Sequence, residues 1–246
     1  MTKFADLRQL FATDSLFRNA VYLMGSTAIM SVLGFGFWLF VAHLYSPAQI
    51  GAASALISIS LLISNLSFLG LNSGLVRFLP VSKTPGRDIN AALITVMSAA
   101  VVAATVYCLF GGSFDGQLAV FDHGRFPGAL FVALMAAVSL NTLTDSVFIA
   151  NRRAEYHTIV YTVFGLIKLV LPLFLIPLGS LGIFGAYIAA VVVSLVLSLY
   201  FMWRSCGYRL LSRPNWKFVA DSRKYNTHNY VGVLLAGLPS QLMPSM

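Results

Sequence analysis

The sequence predicts an all-α polytopic membrane protein, and three observations carry that reading. From Asn19 to Val76 there is no Asp, Glu, Lys or Arg, and only the turn-like Tyr45-Ser46-Pro47 interrupts the run. One helical crossing takes about 20 apolar residues, so this stretch holds two crossings and a short turn. Further uncharged stretches follow at 89–114, 126–144, 169–203 and 225–246. The composition agrees: 58% of residues are hydrophobic, 10% are charged and the mean hydropathy is +0.82, all far from soluble averages. A transmembrane barrel would alternate apolar and polar residues over strands of about 10 residues. Segments such as Ala91 to Phe110 and Ala190 to Met202 are apolar all round instead, as helices in lipid are.

Taken in order, the pattern places membrane helices near 19–44, 50–74, 89–111, 127–150, 156–178 and 181–203, with a seventh from about 228. Residues 1–18 form an N-terminal segment at the cytoplasm or the interface. Its Phe4, Leu7, Leu10 and Phe11 have helical spacing among charges, so it reads either as a short interfacial helix or as a partly ordered lead-in. The apolar run of the first helix is too long for a cleaved signal peptide, and Asp6 and Asp14 precede it. Pro127 suits the first turn of the fourth helix, and Pro177-Leu178-Gly179-Ser180 reads as a tight turn between the fifth and sixth. The six-helix unit thus spans 19–203. A basic cytoplasmic loop follows at 204–227, then an incomplete seventh segment, 228–246, containing Pro239 and Pro244. No stretch is long enough for a soluble domain.

The net charge of +8 follows topology. With these helices, every Lys and Arg except Arg125 and Lys168 falls on one side: Lys3, Arg8, Arg18, Arg77, Lys83, Arg87, Arg152, Arg153, Arg204, Arg209, Arg213, Lys217, Arg223 and Lys224. By the positive-inside rule that side, with the N-terminus, is cytoplasmic. Anionic lipid at the cytoplasmic face is then the partner of the basic residues, and nucleic acid is not expected. Cys108 and Cys206 fall at opposite ends of the bundle and read as unpaired thiols.

Several glycine and proline positions set in this apolar background resemble a known family. The run Leu39-Phe40-Val41-Ala42-His43-Leu44-Tyr45-Ser46-Pro47, then Gly51, then Leu69-Gly70-Leu71-Asn72-Ser73-Gly74-Leu75-Val76-Arg77-Phe78-Leu79-Pro80 resembles the first two helices of bacterial polysaccharide flippases. These belong to the multidrug/oligosaccharidyl-lipid/polysaccharide exporter (MATE-like) superfamily. Leu181-Gly182-Ile183-Phe184-Gly185-Ala186 is similar to the opening of that family's sixth helix, and Asn229, Leu238-Pro239 and Pro244 to its seventh. The resemblance covers most of residues 15–246. It implies a first six-helix lobe, with a missing second lobe or self-association completing the transporter, the two lobes being parallel repeats. It also implies translocation of a lipid-linked oligosaccharide or polysaccharide precursor across the bacterial plasma membrane, in the biosynthesis of cell-surface polysaccharide such as lipopolysaccharide.

Ionisable groups inside a membrane cost roughly 2.5 to 3.5 kcal/mol at a helix centre, so Asp145 and Lys168 need a reason. Asp145 lies about 10 Å from the inner boundary and Lys168 roughly 18 Å deep. Tyr161, Gly165, Lys168 and Pro172 share one helical face. Pro172 has no N–H for the carbonyl of Lys168, so a cation and a freed carbonyl meet at an expected kink. In a cavity this suits a pyrophosphate-linked substrate, with Tyr161 offered to sugar. The alternative is that Lys168 snorkels or pairs with Asp145. Asn141, Thr142 and Asp145 share a face of the fourth helix, either as hydrogen-bonding glue between helices or as cavity lining. Arg77, Arg152 and Arg153 either anchor topology or meet the anionic head of a lipid carrier. The candidate substrate-binding residues are therefore Lys168, Asp145, Tyr161, Asn141, Arg77, Arg152 and Arg153.

There is no Walker loop, no His/Cys metal spacing and no GxSxG. The expectation is a transporter, with no enzymatic activity, no catalytic residue, no metal and no cofactor. Two alternatives stand beside it: an integral-membrane enzyme acting on lipid-linked sugars, for which Asp145 is the one candidate, and an inactive truncated fragment.

Overall fold

The computed structural model describes residues 15–110, 128–209 and 212–242, with side chains from Leu16 through Gly232. The chain runs through α1 (Ser15–Leu44), α2 (Pro47–Ser67), a short α3 (Leu71–Phe78), α4 (Pro85–Phe110), α5 (Gly128–Ala150), α6 (Ala154–Val170), α7 (Ser180–Ser205) and α8 (Trp216–Leu242). Single 3-10 turns lie at Leu79–Val81, Leu171–Leu173 and Ile176–Leu178. No strand occurs among the described residues. Six helices, α1, α2, α4, α5, α6 with its 3-10 extension, and α7, are long and apolar enough to cross a membrane. The protein is an all-α polytopic membrane protein.

In lipid there is little hydrophobic drive between helices, so close packing of small residues holds the bundle together. Ala53, Ser60 and Ser64 on α2, Ala92, Ala100 and Ala104 on α4, and Ala186, Ala190, Ser194 and Ser198 on α7 are all buried. α5 and α7 are central, with 56% and 50% of their most apolar windows buried against 11% for α1. α1 is an edge helix that packs mainly on α6, and α2 fits against α4, α5 and α7. Gly165 sets the α1–α6 approach, because a Cβ there would lie 2.5 Å from Leu33 Cδ1. The outward faces carry Met24, Val32, Phe35, Val102 and Val196 to the lipid.

The turn between α1 and α2 forms as its residues dictate. Ser46 Oγ accepts from the Gln49 N–H at 3.4 Å, Gln49 Oε1 accepts from the Ser46 N–H at 3.0 Å, and Pro47 opens the helix, which makes a complete capping box. Three elements differ from expectation. The second segment is broken: α2 ends at Ser67, Leu69 and Gly70 take positive φ of 50° and 78°, and α3 restarts from Gly70. α8 holds that break, with Tyr230 Oη donating to Leu66 O at 3.0 Å. A Cβ on Gly70 would sit 2.2 Å from Asn226 O. α6 stops at Val170 instead of continuing kinked to 178, because Pro172 ends the helix and its carbonyl accepts from Tyr45 Oη at 2.7 Å. The seventh segment begins at Trp216, so most of the expected 204–227 loop is helical. Its start is fixed from outside, by the Asn215 N–H donating to Arg87 O at 3.0 Å.

The charged helix ends gather at one end of the bundle. Asn19 Oδ1 accepts from the Ala154 N–H, and Arg87 Nε donates to Arg213 O, so the starts of α1, α4, α6 and α8 share that basic end. Cys108 and Cys206 are both free thiols. The expected interfacial helix in 1–18, the outer loop and Pro127 lie at or beyond the edges of the described residues.

Candidate functional site

Lys168 lies in the last turn of α6, where α6 meets α1 and α7. Its Nζ is 4.2 Å from the centroid of Phe37 on α1 and 5.9 Å from those of Phe164 on α6 and Tyr187 on α7. A desolvated ammonium gains about 2 kcal/mol from such a ring. The expected alternative of an ion pair with Asp145 does not form. Lys168 is thus a half-buried cation held by ring faces, with no carboxylate paired to it among the described residues.

Asp145, on α5, is occupied elsewhere. It is 7% exposed, and its Oδ2 accepts from Tyr161 Oη at 2.7 Å. Tyr161 in turn stacks on His157, with centroids 4.2 Å apart and planes 24° apart. Phe164 lies between Tyr161 and Tyr187, at 6.4 Å and 6.0 Å, so a file of rings runs from the carboxylate to the ammonium. Asp145 Oδ1, Asn141 Oδ1 and His157 Nδ1 are buried with no hydrogen-bond partner. Three orphan polar atoms so close together on α5 and α6 are unusual, since native interiors leave few. A cavity of about 340 Å³ adjoins them, lined by Ser26, Thr27, Met30, Ser31, His157 and Tyr161.

No family model, curated protein or solved structure matches this chain.

At the basic end a second, larger cavity of about 530 Å³ opens beside Asn72, Ser73, Val76, Arg77, Ser146 and Tyr225. Arg77 is exposed, with its guanidinium carbon 4.5 Å from the Tyr225 ring centroid and 5.6 Å from that of Phe78. Arg152 and Arg153 sit apart from it in the α5–α6 turn. Arg152 takes a positive φ of 54°, and Arg153, at the start of α6, pairs with Glu155 at 3.4 Å. The structure thus joins Asp145 to Tyr161, with Asn141 one turn away. It leaves Lys168 in its own cage and Arg77 in its own cavity.

Sequence reasoning missed His157, Ser146, Tyr187, Phe37 and Tyr225. His157 had a signal, since it stands four residues before Tyr161 on the face already singled out. The others contribute from distant helices and carried no local mark. Among the described residues no three His, Cys, Asp or Glu gather into a metal-binding group.

Proposed function

We propose that this chain is a six-helix lobe of a flippase that moves a lipid-linked oligosaccharide or polysaccharide precursor across the bacterial plasma membrane. The observation that carries the proposal is Lys168: a half-buried cation among apolar helices, faced by three rings and without a carboxylate partner among the described residues. A group so costly to bury is kept for what it meets, and the missing charge fits a pyrophosphate-linked substrate. The rings beside it offer stacking faces to sugar. The arrangement of basic helix ends supports a cytoplasmic N-terminus, and the resemblance in the first two helices supports the family. A second lobe, or a second copy, would close the lipid-facing side of α1.

The test uses cells that build a lipid-linked surface polymer with this protein, and it measures surface polymer and folded protein together. Lys168→Met is expected to abolish export while insertion and abundance stay near normal. Lys168→Arg is expected to retain part, since charge persists while geometry changes. Normal export by Lys168→Met, alone or combined with Asp145→Asn, overturns the assignment. The purified chain is expected to flip nothing in vesicles as a monomer, and robust transport by a demonstrated monomer overturns the single-lobe part.

A further inference from the structure

We propose that the 530 Å³ cavity between α3, α5 and α8 is a binding site for the phosphate group of a lipid at the basic end of the bundle. The site is built from three elements that the break at Leu69–Gly70 brings together. α3 supplies Asn72, Ser73 and Arg77, α5 supplies Ser146, and α8 supplies Tyr225.

The donors in this cavity are uncommitted. Among the described residues Arg77 has no carboxylate partner and spends no N–H on a protein acceptor, and it lies against the ring faces of Phe78 and Tyr225. A planar guanidinium held this way retains its fork for a bidentate phosphate. Ser146 is 8% exposed, yet its hydroxyl stands on the cavity wall without a hydrogen-bond partner among the described residues. Ser73 Oγ accepts from Asn229 Nδ2 at 2.7 Å, so the Ser73 hydroxyl proton is free to donate elsewhere. Among the described residues no acidic side chain lines the cavity. One cation with hydroxyl and amide donors and no carboxylate is the chemistry of an anion site.

Position identifies the lipid as the source of that phosphate. Trp203 and Trp216 at this end are 61% and 54% exposed, as tryptophans are at the level of lipid headgroups. Exposed Val76 forms an apolar edge of the cavity, where an acyl chain can lie while the phosphate reaches Arg77. This inference does not depend on transport, because a lobe that flips nothing can still hold a lipid phosphate here.

The experiment is native mass spectrometry of the full chain in a neutral detergent, titrated with dioleoyl phosphatidic acid and with dioleoyl phosphatidylcholine, followed by competition with inorganic phosphate. Phosphatidic acid is expected to bind saturably. Arg77→Gln is expected to weaken it by about tenfold or more, and Ser146→Ala by a smaller factor. Lys83→Gln, a basic residue outside the cavity, is expected to leave binding unchanged. Arg77→Lys should restore part of the loss if the site reads charge and fork geometry together. Equal losses in Arg77→Gln and Lys83→Gln mean a diffuse surface field and overturn the proposal, as does non-saturable uptake. Displacement at millimolar phosphate without any lipid preference overturns the lipid assignment in favour of the free ion. Elution as a single species and an unchanged thermal midpoint establish that each variant is folded.

Discussion

Asp88 and Asp145 are both buried carboxylates on membrane helices, 3% and 7% exposed, and their surroundings differ in kind. Asp88, at the start of α4, accepts from Ser82 Oγ, from Thr84 Oγ1 at 3.3 Å and from Asn215 Nδ2 at 2.7 Å. Its neighbour Asn90 donates to Ser212 O at 2.8 Å and accepts from Tyr208 Oη. Together they hold Tyr208, Ser212 and Asn215 onto α4. Asp145 has one donor, Tyr161, and its other oxygen has none. A fully satisfied buried network rigidifies, whereas a partly satisfied one is costly unless something else uses it. The first region is read as structure and the second as a working site.

The comparison is tested most severely at Asp88. Asp88→Ala strips the acceptor from three donors, and leaving buried partners unmade costs on the order of 3 kcal/mol. The expected outcome is a clear drop in thermal midpoint and new protease cleavage in 208–215. An unchanged midpoint with no cleavage would break the contrast from the structural side.

Tyr208 offers a smaller and pH-dependent effect. It is 1% exposed, and burial pushes its hydroxyl up to about 12 from 10.0. The folded state therefore keeps this proton where the unfolded chain has lost it. The stabilisation is fully present below pH 10 and is lost as pH rises through about 12. Tyr208→Phe is expected to cost about 1 kcal/mol at neutral pH and to flatten this alkaline limb, measured by thermal unfolding from pH 8 to 11. An identical slope in the variant assigns the limb to other groups.

The smallest effect on stability is expected at the interior site. His157→Phe keeps a ring on Tyr161 and deletes the orphan Nδ1, so the thermal midpoint should hold or rise slightly while surface polymer falls. A substantial loss of folded protein would mean that the interior polar atoms are glue after all.

Much of the bundle was legible in the sequence, since an uncharged run of sufficient length dictates a helix in lipid whatever surrounds it. The places that were not legible are those decided by distant contacts. Gly70 sits in an apolar run that reads as continuous helix, and it becomes a break because Asn226 and Tyr230 of α8 receive it. The charges of 216–224 read as a loop, yet Arg87 caps that helix from across the bundle. At the candidate site, Lys168 and Asp145 stood out because burying a charge in a membrane is costly, and Tyr161 because it shares a helical face with Lys168. Of the rings around Lys168, Phe37 and Tyr187 come from α1 and α7, and periodicity within one helix cannot point to another.

The clamp at α4 also bears on the order of assembly during synthesis. Asp88 leaves the ribosome well over one hundred residues before Asn215, with α5, α6 and α7 still to be made. Through that interval its carboxylate has the nearby Ser82 and Thr84 to bind, and the contact with Asn215 forms only after α7 has been made. A chain stalled or misinserted before α7 would leave this end of α4 uncovered, open to proteases and chaperones. Docking of Tyr208, Ser212 and Asn215 onto α4 thus waits for α5, α6 and α7 to be made.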